Sequence, residues 1–459
     1  MALGKRKSEE QMTWIATSDL PRSPGHPFYD QLNRLLAEAG FDRFLEEQCG
    51  PYYAETMGAP SIPPGVYFRM LLIGYFEGLD SQRAIAWRVA DSLSLRAFLG
   101  IPATGSTPDH SSLTRIRQRL PEEVHEAVFR KVLAMAHEHA LLVGKTAAVD
   151  ATLLEANAAM KSIVRKDTGE DYRTYLKHLA EEAGLKDPTN EELKRFDKHR
   201  PGKKMSNREW ESKTDPDSRI MKMKDKRTHL SYKAEHVVDL DTDMLLAVQI
   251  YHGDRGDTDT LVESLQAASE NLAAVDDELA IKEVPADSAY HSLQTLVACQ
   301  ERGIRTYIAE SKDPKGRVWT DKSEAEQKAF RANRRRCKGK RSKKLQRLRR
   351  EKAERSFAHL CETGGARRSW LRGVVKVFKR YVIDGVAHNL GVMMRVLFGI
   401  GTPRSLQGGG FAFLRRLIAR VWCVALHLLC YPEDEIKISG KSSPDLRDDA
   451  SPLNLLNVA

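Results

Sequence analysis

Three acidic residues sit in settings that suit phosphodiester chemistry. Asp150 lies in TAAVDAT, Asp287 in EVPADSAYHS and Glu354 in RREKAERSFAH. The first two close strand-like runs, and the third lies on a strongly basic helical segment. Carboxylates are the natural ligands of hard divalent cations, and a pair of such cations can bracket an in-line displacement at phosphorus. Lysine and arginine beside them would hold a nucleic acid backbone.

The charge balance agrees with that chemistry. Lys and Arg number 73 against 63 Asp and Glu, a formal net charge of +10. Such an excess favours a polyanionic partner, nucleic acid before membrane. The basic residues are clustered. Arg334, Arg335, Arg336, Lys343, Lys344, Arg347 and Arg350 fall in one run with almost no acid, either a DNA-backbone surface or a solvated charge run. Arg115, Arg117 and Arg119 spread around a short predicted helix, compatible with helix-turn-helix DNA binding or with an all-helical packing domain. Lys233 in SYKAEHVVD joins the DNA-contacting set. Trp210 and Trp370 are base-stacking candidates whose plainer role is packing. The six cysteines (Cys49, Cys299, Cys337, Cys361, Cys423, Cys430) form no CxxC pair, which argues against a zinc ribbon or disulfide scaffold and for reduced thiols in a cytosol. Cys423 and His427 could share a helical face, but no further ligand pair accompanies them. No apolar signal core opens the chain, and the apolar stretch 421–431 is too short to span a bilayer, so no membrane partner is expected.

Helical spacing dominates from about 27 to 140. FYDQLNRLLAEAGFDRFLEEQ reads as one helix. IPPGVYFRMLLIGYFEGL is a second, opened by Pro63 and Pro64 and closed near Gly78. SQRAIAWRVADSLSLRAFLG is a third, with Ser81 as N-cap. Ser111 and Ser112 are the expected caps of the arginine-bearing helix, and PEEVHEAVFRKVLAMAHEHALL follows. At Gly144 the period changes to alternation, with KTAAVDAT as a strand. A polar insert over 155–227 holds two helices, the second with a Thr189 and Glu192 capping box. THLSYKAEHVVDL and MLLAVQIYH form a strand pair, followed by a helix capped by Asp257 or Thr258, the strand of Asp287, a helix and the strand RTYIAE. This is an α/β arrangement. Leu345, Leu348, Ala353, Phe357 and Leu360 give the basic run one buried helical stripe. Asp239, Asp241 and Asp243 read as turn acids, Asp215 and Asp217 as a loop entry, and Asp254, Asp257 and Asp259 as helix-start acids. The expected divisions are a flexible 1–26, a helical domain 27–143, an α/β domain 144–400, a C-terminal helix 401–431 and a disordered tail 432–459.

Taken in order, VYFRMLLIGYFEGLDSQRAIAWRV, PDHSSLTRIRQRL, VDATLLEANA, DPDSR, SYKAEHVVD, HGDRGDTDTL, ADSAYHS, AERSFAHLCETGGARRSWLRG and KRYVIDGVAHNLGVMMR resemble the DDE transposases of bacterial insertion sequences, in the superfamily of the insertion-sequence-five and insertion-sequence-four groups. The resemblance implies an RNase H-like catalytic domain with a mixed sheet behind an all-α N-terminal DNA-binding domain. It implies that Asp150 and Asp287 face each other at adjacent strand ends with Glu354 across the cleft. Asp150 would bridge two Mg²⁺ ions, Asp287 would hold one and Glu354 the other, with Mn²⁺ tolerated. The implied activity is DNA cleavage at element ends followed by strand transfer. Double-stranded DNA (terminal inverted repeats and target) would be the partner, in a homodimer or higher oligomer, in a prokaryotic cytoplasm at the nucleoid. Many relatives carry Tyr, two residues, Arg, three residues, Glu, six residues and Lys. Here Arg350 and Glu354 fit, but Arg347 stands at the Tyr position and Cys361 at the Lys position. Arg367, Arg368, Arg372 or Lys376 would then supply the backbone clamp. An RNase H-fold nuclease without strand transfer, or a catalytically silent DNA-binding derivative, are the alternatives. The intact acidic trio argues against the silent one.

Overall fold

The computed structural model describes residues 23, 25–54, 56, 58, 60–202, 205–310, 319 and 321–406. The chain divides into units 1–407 and 408–459; the second lies outside the described residues, and with it the tail and all but the start of the expected helix 401–431, where Pro403–Leu406 form a short 3-10 helix.

The first part is helical, as its periodicity requires. It comprises α1 (Pro27–Glu38), α2 (Phe41–Cys49), α3 (Pro64–Glu77), α4 (Gln82–Ala90), α5 (Leu93–Phe98), α6 (His110–Arg119) and α7 (Glu122–Glu138). Two runs expected as single helices are each split. The first breaks at Gly40, whose φ of 60° is left-handed and open to glycine without strain. The second breaks at Ser92, whose hydroxyl accepts the Leu95 N–H and starts α5. Ser81 caps α4 as expected, but Asp109 caps α6 in place of Ser111 or Ser112, accepting the Ser111 N–H at 2.8 Å. A carboxylate one turn earlier outcompetes the hydroxyls for the free amides.

The α/β part begins with β1 (Ala147–Glu155). The insert then supplies β2 (Ile163–Arg165), α8 (Tyr172–Glu182), α9 (Asn190–His199), β3 (Trp210–Ser212) and β4 (Arg219–Lys222). The capping box of α9 forms as expected, whereas the short β2–β3 pair and β4 carry too few residues for periodicity to reveal. Trp210, only 2 % exposed, is packed by Tyr172 and Tyr175 with Arg165 over its ring, so its role is packing. Next come β5 (Thr228–Asp239), β6 (Leu245–His252), α10 (Asp257–Ala273), β7 (Glu283–Ala286), α11 (Leu293–Glu301) and β8 (Arg305–Ile308). The basic run forms two helices, α12 (Glu324–Cys337) and α13 (Lys340–Ala358), separated at Gly339. The last described α-helix is α14 (Val374–Phe398).

β5 is the centre of the sheet. Along one edge it pairs antiparallel with β1, Asp150 opposite His236; along the other it pairs with β4 and then β6. β7 and β8 pair in parallel, and a parallel bridge between Thr146 and Glu283 ties β7 to the start of β1. β1, β6 and β7 therefore run the same way and open their C-terminal ends on one edge.

α14 is the core helix. Between Val377 and Met394 it is buried almost without interruption, packed on α7, β6 and α3. Gly385 permits this approach, since a Cβ there would stand 3.2 Å from Phe129 and 3.3 Å from Val248. By length and composition Val374–Leu406 could cross a membrane, but 67 % of its most apolar window is buried inside the protein, as befits a core helix. Its start is capped by acids from the insert. Asp215 accepts from the Tyr232 hydroxyl at 2.7 Å and the Gly373 N–H at 3.0 Å, and Asp217 accepts the Val374 N–H at 3.0 Å. The expected loop-entry acids thus complete a helix N-terminus far along the chain.

Candidate active site

Strand register explains why two distant acids meet. Four residues beyond the Thr146–Glu283 bridge lie positions 150 and 287, level with each other and of the same parity along the pleat. Asp150 stands within β1, which continues to Glu155, and not at a strand end. Asp287 follows β7 directly, and its Oδ1 accepts the Ser288 N–H at 2.7 Å. Both line one cavity of about 700 Å³, together with Lys222 and Lys224 near β4, Lys233 of β5, Asp257, Tyr290 and Arg367.

The Asp150 side chain is 24 % exposed. Its Oδ2 accepts from Nη1 of Arg349 at 3.0 Å and its Oδ1 from the Ala151 N–H at 3.0 Å. Burial raises its pKa above the usual carboxylate value. Arg349 pulls the other way, and the charges of Asp287 and Asp257 add to the rise. Asp257 itself is paired with Lys233, Nζ to Oδ1 2.6 Å. Lys233 is buried and also donates to Thr260 Oγ1 at 2.8 Å and pairs with Glu235 at 3.2 Å.

Glu354 is on α13 but is exposed and does not line the cavity. The phase of α13 is fixed by its buried face, where Ser342, Leu345, Arg349, Ala353 and Ser356 recur at helical spacing. The His236 ring bonds the Ser356 hydroxyl at 2.8 Å and stacks on Phe357 with centroids 3.9 Å apart. With Ala353 inward, Glu354 falls about 100° around the helix. Among the described residues no three His, Cys, Asp or Glu side chains form a group that could hold one ion.

The cations expected to meet DNA divide into surface and interior. Lys343, Lys344, Arg347 and Arg350 are exposed and line one surface depression. Arg115, Arg119, Arg334 and Arg335 are exposed; Arg119 lies over the Tyr53 ring and Arg334 pairs with Glu310. Arg367, Arg368, Arg372 and Lys376 are exposed too; Arg367 pairs with Glu362, Arg368 with Glu155, and Arg372 donates to the Asn157 carbonyl. Three expectations change. Arg117 is buried with its guanidinium over Trp370, because α6 turns that position toward the protein. Lys233 spends its charge on internal acids. Arg336 is half-buried and donates to the Thr306 carbonyl at 2.9 Å. Cys361, at the expected Lys position, is buried.

Sequence reasoning missed Asp257 as a cavity group and Arg349 as the partner of Asp150. Asp257 had a usable signal: it follows β6, which runs parallel to β1 and ends on the same edge. Arg349 stands in RLRRE among similar residues, and only the helix phase singles it out.

Residues 18–119 match the family model described as Transposase domain (DUF772), and residues 187–390 match that described as Transposase DDE domain. Asp287 and Glu354 fall inside the second match, and Asp150 precedes it. No curated protein and no solved structure matches the chain.

Proposed function

The chain belongs to the DDE transposases, and from that premise we propose that it cuts DNA at the ends of an insertion sequence and joins those ends to target DNA. The observation that carries this reading is the convergence of Asp150 and Asp287 on one cavity with basic residues at its edge. The lateral order β6–β5–β1–β7–β8, with β7 parallel to β1, supports an RNase H-like assignment for the α/β part. The helical part at 27–143 is the proposed DNA-binding domain.

The carboxylate oxygens of Asp150 and Asp287 are of the kind a hard divalent cation takes. Asp150, Asp257 and Asp287 all line the cavity, and burial, with a smaller push from the charges of Asp287 and Asp257, raises the Asp150 pKa. Asp150 and Asp287 would hold the cation, Mg²⁺ in this reading, and Glu354 would join them if α13 turned on DNA binding. A cation there would polarise the scissile phosphate and acidify the attacking oxygen. Arg367, Lys222 and Lys224 at the cavity would fix the backbone, and α13 would track it with Lys343, Lys344, Arg347 and Arg350. In the first step a water oxygen bonds phosphorus and the 3′ bridging oxygen leaves, taking a proton to become a hydroxyl. In the second, that hydroxyl attacks a target phosphodiester and displaces its 3′ oxygen. One diester replaces another, so no external energy source is needed.

The test is incubation of the full chain with element-end DNA, target DNA and Mg²⁺, with the cut and joined strands mapped. Cleavage and joining that vanish in Asp150→Asn while end binding persists would support the reading. Unchanged cleavage in that variant would refute it, and a parent protein that cuts but never joins would favour a nuclease.

A further inference from the structure

We propose that Arg349 is a built-in counter-ion of the cavity, occupying Asp150 until a divalent cation takes its place. This rests on the reading above that Asp150 and Asp287 hold such a cation.

The Arg349 side chain is 9 % exposed, and its Nη1 lies 3.0 Å from Asp150 Oδ2. Its Nε donates to Gln346 Oε1 at 3.0 Å. The Gln346 amide donates in turn to the carbonyls of Ala286, at 3.1 Å, and Tyr307, at 2.6 Å. The guanidinium is thus aimed at Asp150 by a residue anchored on β7 immediately before Asp287. Both Asp150 oxygens are engaged, Oδ1 by the Ala151 N–H and Oδ2 by Arg349.

This arrangement answers a physical need. Asp150, Asp257 and Asp287 face one cavity that Glu155, Asp225 and Asp254 also line, and without a cation their charges would oppose folding there. Arg349 offsets Asp150, and Lys233 offsets Asp257 at 2.6 Å. Asp287 is exposed and bonded only to the start of its own turn, which leaves it accessible as the first ligand to meet an arriving ion. A second ligand is gained at Asp150 only when Arg349 withdraws, so a fixed positive charge competes with each ion that binds. Arg349 therefore sets the cation affinity of the DNA-free protein and acts as a positioning residue.

The experiment is a titration of the full chain with Mn²⁺ alone, free ion being read by electron paramagnetic resonance, without DNA. Arg349→Gln should bind Mn²⁺ about tenfold tighter than the parent, a factor set by loss of a partly buried competing ion pair. Arg349→Lys should fall between them, and it keeps the test open if the first variant folds poorly. On an Asp150→Asn background the Arg349→Gln change should bring no tightening. Without metal the Arg349→Gln protein should melt lower than the parent, and Mn²⁺ should raise its Tm by more than it raises the parent's. Unchanged or weaker Mn²⁺ binding in both Arg349 variants, with parental circular dichroism, would overturn the counter-ion role. A parent chain that binds no Mn²⁺ would instead sink the cation reading of the cavity.

Discussion

The sheet edge and helix α13 hold their acids by different means. Asp150 and Asp287 are placed by backbone register, which a parallel bridge at Thr146 and Glu283 propagates to them. Glu354 is placed by helix phase, which the burial of Arg349, Ala353 and Ser356 decides. Register is discrete: a slip of one residue would turn every side chain to the opposite face. Phase is set by side-chain packing, here the buried face that carries Ser356 against His236. The strand pair is therefore already assembled at the cavity, whereas Glu354 stands outside it on the exposed side of α13; under the proposed function it is the acid that would have to move.

The largest expected effects test that division directly. Asp150→Asn and Asp287→Asn should each lower end cleavage by at least about 10³-fold, the scale of losing a group that acts on the transition state. Glu354→Gln should also lower cleavage strongly, yet leave Tm unchanged, because its side chain is exposed in the DNA-free protein. Asp150→Asn should shift Tm as well, since it abolishes the charge pair with Arg349. Normal cleavage by Glu354→Gln would assign the whole chemistry to the strand pair. A smaller effect, on stability, is expected at Asp215. Asp215→Ala removes a buried carboxylate from the Tyr232 hydroxyl and the Gly373 N–H and should cost about 2–3 kcal/mol, measured by denaturant unfolding. An unchanged midpoint would mean that α14 is held by its apolar packing alone.

What could be read from the amino acids follows the same line. Alternation around Asp150 was legible because β1 is partly exposed toward its end, whereas β7 before Asp287 is buried throughout and reads as a short run closed by a turn. The order of the longer strands and helices from β5 to β8 was legible from their periods, while β2, β3 and β4 in the insert were too short to show one. Helix breaks were not: Gly40, Ser92 and Gly339 sit within apolar or basic spacing that reads on across them. Asp215 and Asp217 looked like loop acids because their partner amides, at Gly373 and Val374, are distant in sequence. Arg117 shows the same limit. Its neighbours Arg115 and Arg119 reach solvent, and nothing in RIRQR tells that the middle one covers Trp370. Arg117→Ala should therefore lower stability by about 1–2 kcal/mol, the scale of a cation–π contact and buried stem lost together. Arg115→Ala should leave Tm alone and weaken end-DNA binding in a salt-dependent way. The opposite pattern would put Arg117 on the DNA.

The smallest effect belongs to the insert, which contrasts with both the sheet edge and α13. Its helices α8 and α9 bury Leu176, Ala180 and Leu193 in a cluster of their own, apart from the main core. The Thr189 and Glu192 box at the start of α9 is exposed. Thr189→Ala removes the hydroxyl that accepts the Glu192 N–H and should cost about 1 kcal/mol, as N-cap losses do. Because the cluster is separate, that loss should be local. Amide exchange should quicken in α9, while protection in β1 and β5, and so the setting of Asp150, stays at the parental level. A matching loss of protection in β1 would mean that the insert and the sheet edge open as one unit, and that the register holding Asp150 depends on packing after all.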